Sequence, residues 1–185
     1  MAALTTAEIE ALLGPSEYAR RALFAEPQLA AELVTLAEKP LTRAALDSLF
    51  GAVPSDEAVL AQRLRWLRKR VFLSIMLRDL AGLADLEEVM QSMTLLAEAV
   101  IGYALPALVS AQSSQGLPQK ADGSGDMPLV VIAMGKFGSG ELNVSSDIDL
   151  IYAYPEDGEI AERRLSHFEF FTRLANKLTQ LLSEP

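Results

Sequence analysis

Six consecutive apolar residues, Leu129–Met134, stand between Pro128 and Gly135. The run is too short for a buried helix, and it carries two adjacent valines and an isoleucine. It predicts a buried β-strand. It interrupts a chain that patterns as helix almost everywhere before residue 110. The fold must therefore set a small strand unit against a helical layer, which is the α+β class: a mostly helical N-terminal region, then strand–loop–strand–helix.

The helical part carries its own punctuation. Thr5 and Glu8 form a capping-box pattern ahead of Ile9, Leu12 and Leu13. Gly14-Pro15 stops that helix, and Ser16 starts another with Tyr18, Leu23 and Phe24. Pro27 and Pro40 delimit further short helices. Ser55 is the expected N-cap of the strongest helix, Asp56–Ala81, whose Leu60, Leu64, Leu67, Val71 and Ile75 recur at helical spacing. Asp85 and Glu88 cap a second, with Leu86, Met90, Met93, Ala97 and Val100 on one face, which assigns both methionines to the core. Within the first of these helices lies a basic run, Arg63, Arg65, Arg68, Lys69 and Arg70. It reads as a solvated helix face, with docking to an acidic partner or a nucleotide as the alternative. Trp66 reads as packing.

Ser110–Pro128 is rich in Ser, Gln, Gly and Asp and reads as a connector. The expected division is a helical region over 1–109, a flexible linker over 110–128 and an incomplete catalytic unit over 129–185. A second strand fits Asp147–Tyr154, and Pro155–Gly158 a turn. An amphipathic helix fits Leu165–Leu182, with Phe170, Phe171, Leu174, Leu178 and Leu181 on one face. His167, the single histidine, is assigned a structural or surface role, because metal sites need several ligands.

Composition removes several classes. Of 185 residues none is cysteine, so disulfides and thiolate metal sites are excluded. That absence fits a reducing cytoplasm, the expected location. Met1–Glu10 lacks a basic segment leading into an apolar run, so no signal peptide is expected. No uninterrupted apolar run approaches the ~20 residues that span a bilayer. A net charge of −9 argues against general nucleic-acid binding, which needs a basic surface.

Chemistry concentrates in Met134–Leu150. Residues two apart on a strand share a face, so Asp147 and Asp149 point together while Ile148 and Leu150 point into the core. Paired carboxylates repel unless a cation joins them, and such oxygen donors suit Mg2+ together with phosphate oxygens. Gly135, Gly138 and Gly140 let the preceding backbone approach a ligand with its N–H groups. Lys136 brings a cation to phosphate, and Ser145 and Ser146 add hydroxyls.

This pattern, an apolar strand, Gly-Lys, the residues Phe137–Ser146 and then Asp-apolar-Asp-apolar, resembles the DNA polymerase β-like nucleotidyltransferase superfamily. More narrowly, Gly135-Lys-Phe-Gly-Ser-Gly-Glu-Leu-Asn-Val-Ser-Ser-Asp-Ile-Asp-Leu-Ile151 resembles the bifunctional glutamine synthetase adenylyltransferase/adenylyl-removing family, in the wording of its N-terminal, AMP-removing copy. Leu64–Arg70 and Met76–Gly82 are similar to that family's Arg-rich helix, and Phe168–Leu182 to the helix after the Asp pair. Met1–Pro54 matches only as a generic helical N-terminus.

The resemblance implies phosphorolysis of adenylyl-tyrosine on glutamine synthetase, giving ADP and controlling nitrogen assimilation. It implies Mg2+ on Asp147 and Asp149, and phosphate or adenine nucleotide at Gly135, Lys136, Gly138 and Ser146. It also implies contacts with glutamine synthetase and with a PII-type signal protein. The family pattern includes a third carboxylate on a later strand. The acids after Asp149 are Glu156, Asp157 and Glu159 in a turn-like stretch, Glu162 and Glu169 in or beside the last helix, and Glu184, and none is expected on a third strand. A two-stranded sheet and a fragment of a longer enzyme are therefore expected. The alternatives are a non-catalytic module binding glutamine synthetase or the signal protein, and a stand-alone minimal nucleotidyltransferase. The long helical N-terminus counts against the last.

Overall fold

The structure, a computed structural model, describes residues 4–113, 116–160 and 165–183. Six helices come first: α1 (Thr6–Leu13), α2 (Glu17–Ala25), α3 (Leu29–Leu36), α4 (Arg43–Phe50), α5 (Glu57–Leu80) and α6 (Leu86–Gln112). There follow β1 (Val130–Met134), the single turn α7 (Gly135–Gly138), β2 (Asp149–Ala153), β3 (Glu159–Ile160), β4 (Leu165–Ser166) and α8 (His167–Ser183). The fold is α+β, as expected: mostly helical, with two small antiparallel sheets.

Capping fixes where the helices begin. Thr5 and Glu8 form the expected reciprocal box: the Thr5 N–H donates to the Glu8 carboxylate at 2.8 Å, and the Glu8 N–H donates to Thr5 Oγ1 at 3.3 Å. For α5 the cap is Asp56, not Ser55. Its Oδ1 accepts from the Val59 N–H at 2.9 Å, and a carboxylate at this position also complements the helix dipole. Asp85 caps α6 through the Glu88 N–H at 2.8 Å. The Glu88 carboxylate is used elsewhere, on Arg78.

The organising element is α5, which is buried on two sides. Leu60, Leu64, Leu67, Val71 and Ile75 face the larger core, shared with α4, α6, β-strand residues and α8. Leu73 and Leu77 face a smaller core built with Ile9, Leu13, Leu29 and Leu33 of α1 and α3. Two buried arginines sit between these apolar stripes. Arg70 reaches Glu32 at 2.7 Å and Glu26 at 2.8 Å. Arg78 reaches Glu88 at 2.6 Å and donates to the carbonyl of Ala37 at 2.8 Å.

The basic run is therefore not a solvated face. Arg63 donates to the Phe50 carbonyl at 2.7 Å, Arg68 to the Leu182 carbonyl at 2.5 Å, and Lys69 to Glu26 at 2.7 Å. These cations fasten α2, α3, α4 and α8 to α5. The sequence pattern misled because acidic partners that lie far apart along the chain do not show in a window. Trp66 is half-buried, and its ring stacks under the Arg70 guanidinium at 4.5 Å, a cation–π contact.

The face of α6 is also corrected. Its core stripe is Val89, Leu96, Ala99, Val100 and Tyr103. Leu86 is 69% exposed, and Met90, Met93 and Ala97 are half-buried. Apolar residues occupy two adjacent stripes of this helix, and the neighbours α5 and α8 cover only one fully. The helix also continues to Gln112, past the expected start of the connector at Ser110. By length and composition alone α6 could cross a membrane, with a mean hydropathy of 1.6. Glu98 interrupts its apolar run. Here α6 packs among α4, α5 and α8.

β1 and β2 pair antiparallel with Val130 opposite Ala153, Ile132 opposite Ile151 and Met134 opposite Asp149. Two boundaries move. β2 starts at Asp149 rather than Asp147, because β1 has no residue left to pair beyond Met134 before α7 begins. The expected last helix loses Leu165 and Ser166 to β4, which pairs with β3. α8 then starts at His167, with Ser166 Oγ accepting from the Glu169 N–H at 3.2 Å.

The expectation of a buried β1 is overturned. Val130, Ile132 and Met134 are 42, 42 and 41% exposed and Ile151 47%. The sheet has two strands, and the helical layer covers one face only, through Val131 and Tyr152. His167 has the structural role expected of it: its ring is buried against Gly158, where an added Cβ would come within 2.6 Å. The Gln119–Asp126 bridge folds the connector back on itself, and Met127 and Leu129 enter the large core.

The Arg70 cluster gives a measurable expectation. Hydrogen bonds from Lys69 and Arg70 hold the Glu26 carboxyl below its usual value of 4.5. A carboxyl depressed on folding stabilises above its unfolded pKa, and that contribution is lost as pH falls through the folded value. Glu26→Ala is expected to lower unfolding free energy at neutral pH by about 2 kcal/mol. It is also expected to flatten the decline in stability below about pH 4.5, measured by urea denaturation across that range.

Candidate active site

β1 delivers the chain to Gly135, and the loop from Gly135 to Ile148 returns it to β2. The loop is held by two buried anchors, Phe137 and Leu142, and by backbone bonds from Ser139 N to Gly135 O (3.1 Å) and Glu141 N to Lys136 O (2.7 Å). Gly135 has φ +54°, and a Cβ there would stand 3.3 Å from Asp149 Oδ2. The Asp149 carboxylate therefore lies directly over the glycine that opens the loop. The antiparallel register produces this, since Asp149 is paired with Met134.

Gly138 has a packing role in the loop. A Cβ would meet the Ala133 carbonyl oxygen at 2.5 Å, so the glycine lets α7 pack against the end of β1. Gly140 is needed for its φ of +75°. Lys136 is exposed in α7.

The hydroxyls of Ser145 and Ser146 both turn to Asn143. Each donates to Asn143 Oδ1, at 3.0 and 2.9 Å, and Ser146 Oγ accepts from the Asn143 N–H at 3.1 Å. Asn143 is thus the hub of the loop, a residue the motif reading passed over. Its signal was present in Asn-Val-Ser-Ser, an Asx/ST-turn composition.

Exposure alternates as a strand requires: Asp147 and Asp149 are exposed, and Ile148 and Leu150 are half-buried rather than fully internal. Asp147, Ser146 and Ile148 line a cleft of about 580 Å³ between this loop and helices α5 and α6. Gly135, Lys136 and Asp149 are not among its lining residues. The structure thus places Asp149 with the glycine turn and Asp147 at the cleft.

The cleft was not legible in the sequence. Its walls come from Tyr18, from Arg65, Lys69 and Phe72 of α5, and from Met93 of α6. Tyr18 and Phe72 meet edge to face, with centroids 5.6 Å apart. Burial pushes the Tyr18 phenol above its usual pKa, while the charges of Lys69 and Arg68 work against that rise.

The later acids serve local structure. Glu156 accepts from the Ala121 N–H at 2.7 Å, Asp157 from the Tyr154 hydroxyl at 2.6 Å, and Glu169 from the Ser166 N–H at 3.1 Å. Glu159 lies on β3, not in a turn; Glu162 and Glu184 lie outside the described residues. Among the described residues no group of three His, Cys, Asp or Glu side chains is placed to hold a metal ion.

An exposed carboxylate pair, a tight glycine turn and an adjacent mixed cleft thus lie at one end of the β1–β2 unit. A family model, glutamate-ammonia ligase adenylyltransferase, matches residues 6–185, and the chain belongs to that nucleotidyltransferase family. It is 46% identical over 183 residues to the bifunctional glutamine synthetase adenylyltransferase/adenylyl-removing enzyme of Nitrosomonas europaea, covering 95% of this chain and 20% of that protein. The proteins of the same description from Burkholderia mallei and Chromobacterium violaceum are 45% and 38% identical, over 93% and 100% of this chain. The chain spans about a fifth of the length of the curated relatives it matches. The family drawn from the Gly135–Ile151 wording is borne out.

Gly138→Ala is expected to lower stability by about 2 kcal/mol, because a backbone carbonyl rather than a pliable side chain opposes the added methyl. Gly140→Ala, with open space around it, is expected to cost about 1 kcal/mol through φ alone. Paired thermal melts of the two variants check the ranking.

Proposed function

We propose that Asp147 and Asp149 are the metal-holding carboxylates of an adenylyl-removing nucleotidyltransferase centre, whose substrate is the adenylyl-tyrosine of glutamine synthetase. The observation that carries this reading is the Asp149 carboxylate seated over Gly135, so that an acid and a backbone turn able to donate N–H groups share one edge of the sheet. In the proposed reaction an oxygen of inorganic phosphate attacks the adenylyl phosphorus. The bond from that phosphorus to the tyrosine oxygen breaks, and the oxygen leaves with a proton as the free phenol. The products are ADP and unmodified tyrosine.

The residues present fit Mg2+ as a partial ligand set. Two exposed carboxylates supply oxygen donors, and Mg2+ is commonly held by one or two carboxylates with water and phosphate oxygens completing its shell. When bound, it would neutralise phosphate charge. Lys136, exposed on the turn after Gly135, would bring a further positive charge to the incoming phosphate. Asn143 holds Ser145 and Ser146 in place and so fixes the approach of the chain to Asp147. Transfer of this kind depends on positioning and charge neutralisation and calls for no covalent nucleophile. The polymerase β-like core belongs to this proposal, as do the contacts with glutamine synthetase and a PII-type signal protein.

The test uses a longer version of the chain that reaches the length of its relatives. With Mg2+, phosphate and adenylylated glutamine synthetase, it is expected to release ADP. Asp147→Asn and Asp149→Asn are each expected to reduce the rate by roughly 100-fold or more, with the melting temperature unchanged. Turnover that survives both substitutions would remove the pair from the mechanism. Binding of glutamine synthetase without any turnover by the unsubstituted protein would favour a docking module instead.

A further inference from the structure

The two carboxylates of the pair are held by different devices. Asp149 belongs to β2 and is fixed by its pairing with Met134. Asp147 lies two residues before that strand and has no ladder partner. Burial does not hold it either. Over residues 143–150 no side chain is fully buried, and the last buried anchor before the pair is Leu142, 1% exposed. An unrestrained loop samples many backbone states there, and confining a residue to one of them is opposed by its conformational entropy.

Asn143 supplies the restraint. Its Oδ1 accepts from the Ser145 N–H at 3.0 Å, from the Ser145 hydroxyl at 3.0 Å and from the Ser146 hydroxyl at 2.9 Å. Ser146 closes the turn from its own side. Its Oγ accepts from the Asn143 N–H at 3.1 Å, and its N–H donates to the Asn143 carbonyl at 3.0 Å. These bonds end one residue before Asp147. The turn is itself seated: Leu142 is buried on one side of Asn143, and Val144 packs against the large core on the other.

We propose that Asn143 is a positioning residue for Asp147 and not for Asp149, so that the metal-holding pair is assembled from two independently placed acids. This rests on the carboxylate pair proposed above and adds the group that sets one half of it. Asn143 acts through Ser145 and Ser146 and touches neither metal nor substrate. Groups that orient a metal ligand in this way are typically worth roughly 10–100-fold in metal affinity.

The experiment follows the backbone amide signals of the 185-residue chain carrying Asn143→Ala, first without metal and then with Mn2+, a paramagnetic probe in place of Mg2+. Without metal, the signals of Ser145, Ser146 and Asp147 are expected to move toward random-coil positions, while residues 150–153 of β2 stay unmoved. Asn143→Asp keeps an oxygen that accepts the same bonds and is expected to restore the signals. With Mn2+, Asn143→Ala is expected to raise the apparent Kd about tenfold. The broadening of residues 146–148 is expected to fall relative to that of Gly135 and Lys136. In an Asp147→Asn background the same substitution is expected to leave the Kd unchanged, because two residues that act as a unit are not additive.

Unmoved signals at residues 145–147, an unchanged Kd, or an equal loss of broadening around both acids overturns the proposal. A further rise in Kd in the Asp147→Asn background does so too. Ser146→Ala removes one donor to Asn143 and keeps the backbone bond of the turn. It carries the same expectations at smaller size and decides if Asn143→Ala does not fold. The two readings fail separately. Mn2+ that broadens neither Gly135 nor Asp147 in the unsubstituted chain sinks the carboxylate pair, and the metal-free signals still decide what Asn143 holds. Broadening at the pair that ignores Asn143→Ala sinks only the positioning role.

Discussion

Two arginines buried on one helix hold this chain together. Arg70 and Arg78 stand on α5, and neither charge could stay inside without its partners. Glu26 and Glu32 come from the end of α2 and from α3, and Glu88 from the first turn of α6. Burial works against the Arg70 charge, and the hydrogen bonds it donates to Glu32 and Glu26, with the charges of those carboxylates, outweigh it, leaving its pKa raised. Because the carboxylates must meet α5 at fixed places, the small N-terminal core and the large central core are set against the same helix in one arrangement.

That arrangement determines what surrounds the carboxylate pair. α5 presents Phe72 and Met76 to the cleft on the side away from Arg70 and Arg78, and α8 is tied back to it by Arg68 to the Leu182 carbonyl and by Lys177 to Glu57 at 2.6 Å. The loop carrying Asp147 closes the space so formed. The sheet itself is small and covered on one face, and Asp149 lies on the uncovered face with Met134 and Ile151 as its neighbours. The position of Asp149 thus comes from the β1–β2 register, and the surroundings of Asp147 come from the helical layer.

Much of this was legible in the residues. The helices were visible in their caps and periodicity, and the β1–loop–β2 unit in Leu129–Leu150, because local signals are short-range by nature. The family followed from the same stretch. Three things were not legible. The basic run looked solvated because its partners at positions 26, 32, 50 and 182 are remote in sequence. β1 looked buried because an apolar run does not say how many neighbours will cover it. The second stripe of α6, read as core, borders a cleft, because periodicity identifies apolar faces without saying which one is packed. The local duties of Ser146, which bonds Asn143, and of Gly138, where a side chain would meet the Ala133 carbonyl, are set by the folded loop and do not show in residue type.

The central claim is that divalent metal and phosphate meet at the Asp147–Asp149 end of the sheet. Mn2+ serves as a paramagnetic stand-in for Mg2+, and its broadening of backbone amide signals reports location directly. With ADP present, broadening is expected to centre on Gly135, Lys136 and Asp147–Leu150 and to vanish in the Asp147→Asn, Asp149→Asn double variant. Broadening centred instead on the acidic stretch Glu156–Glu159, or unchanged by the double substitution, would contradict the account.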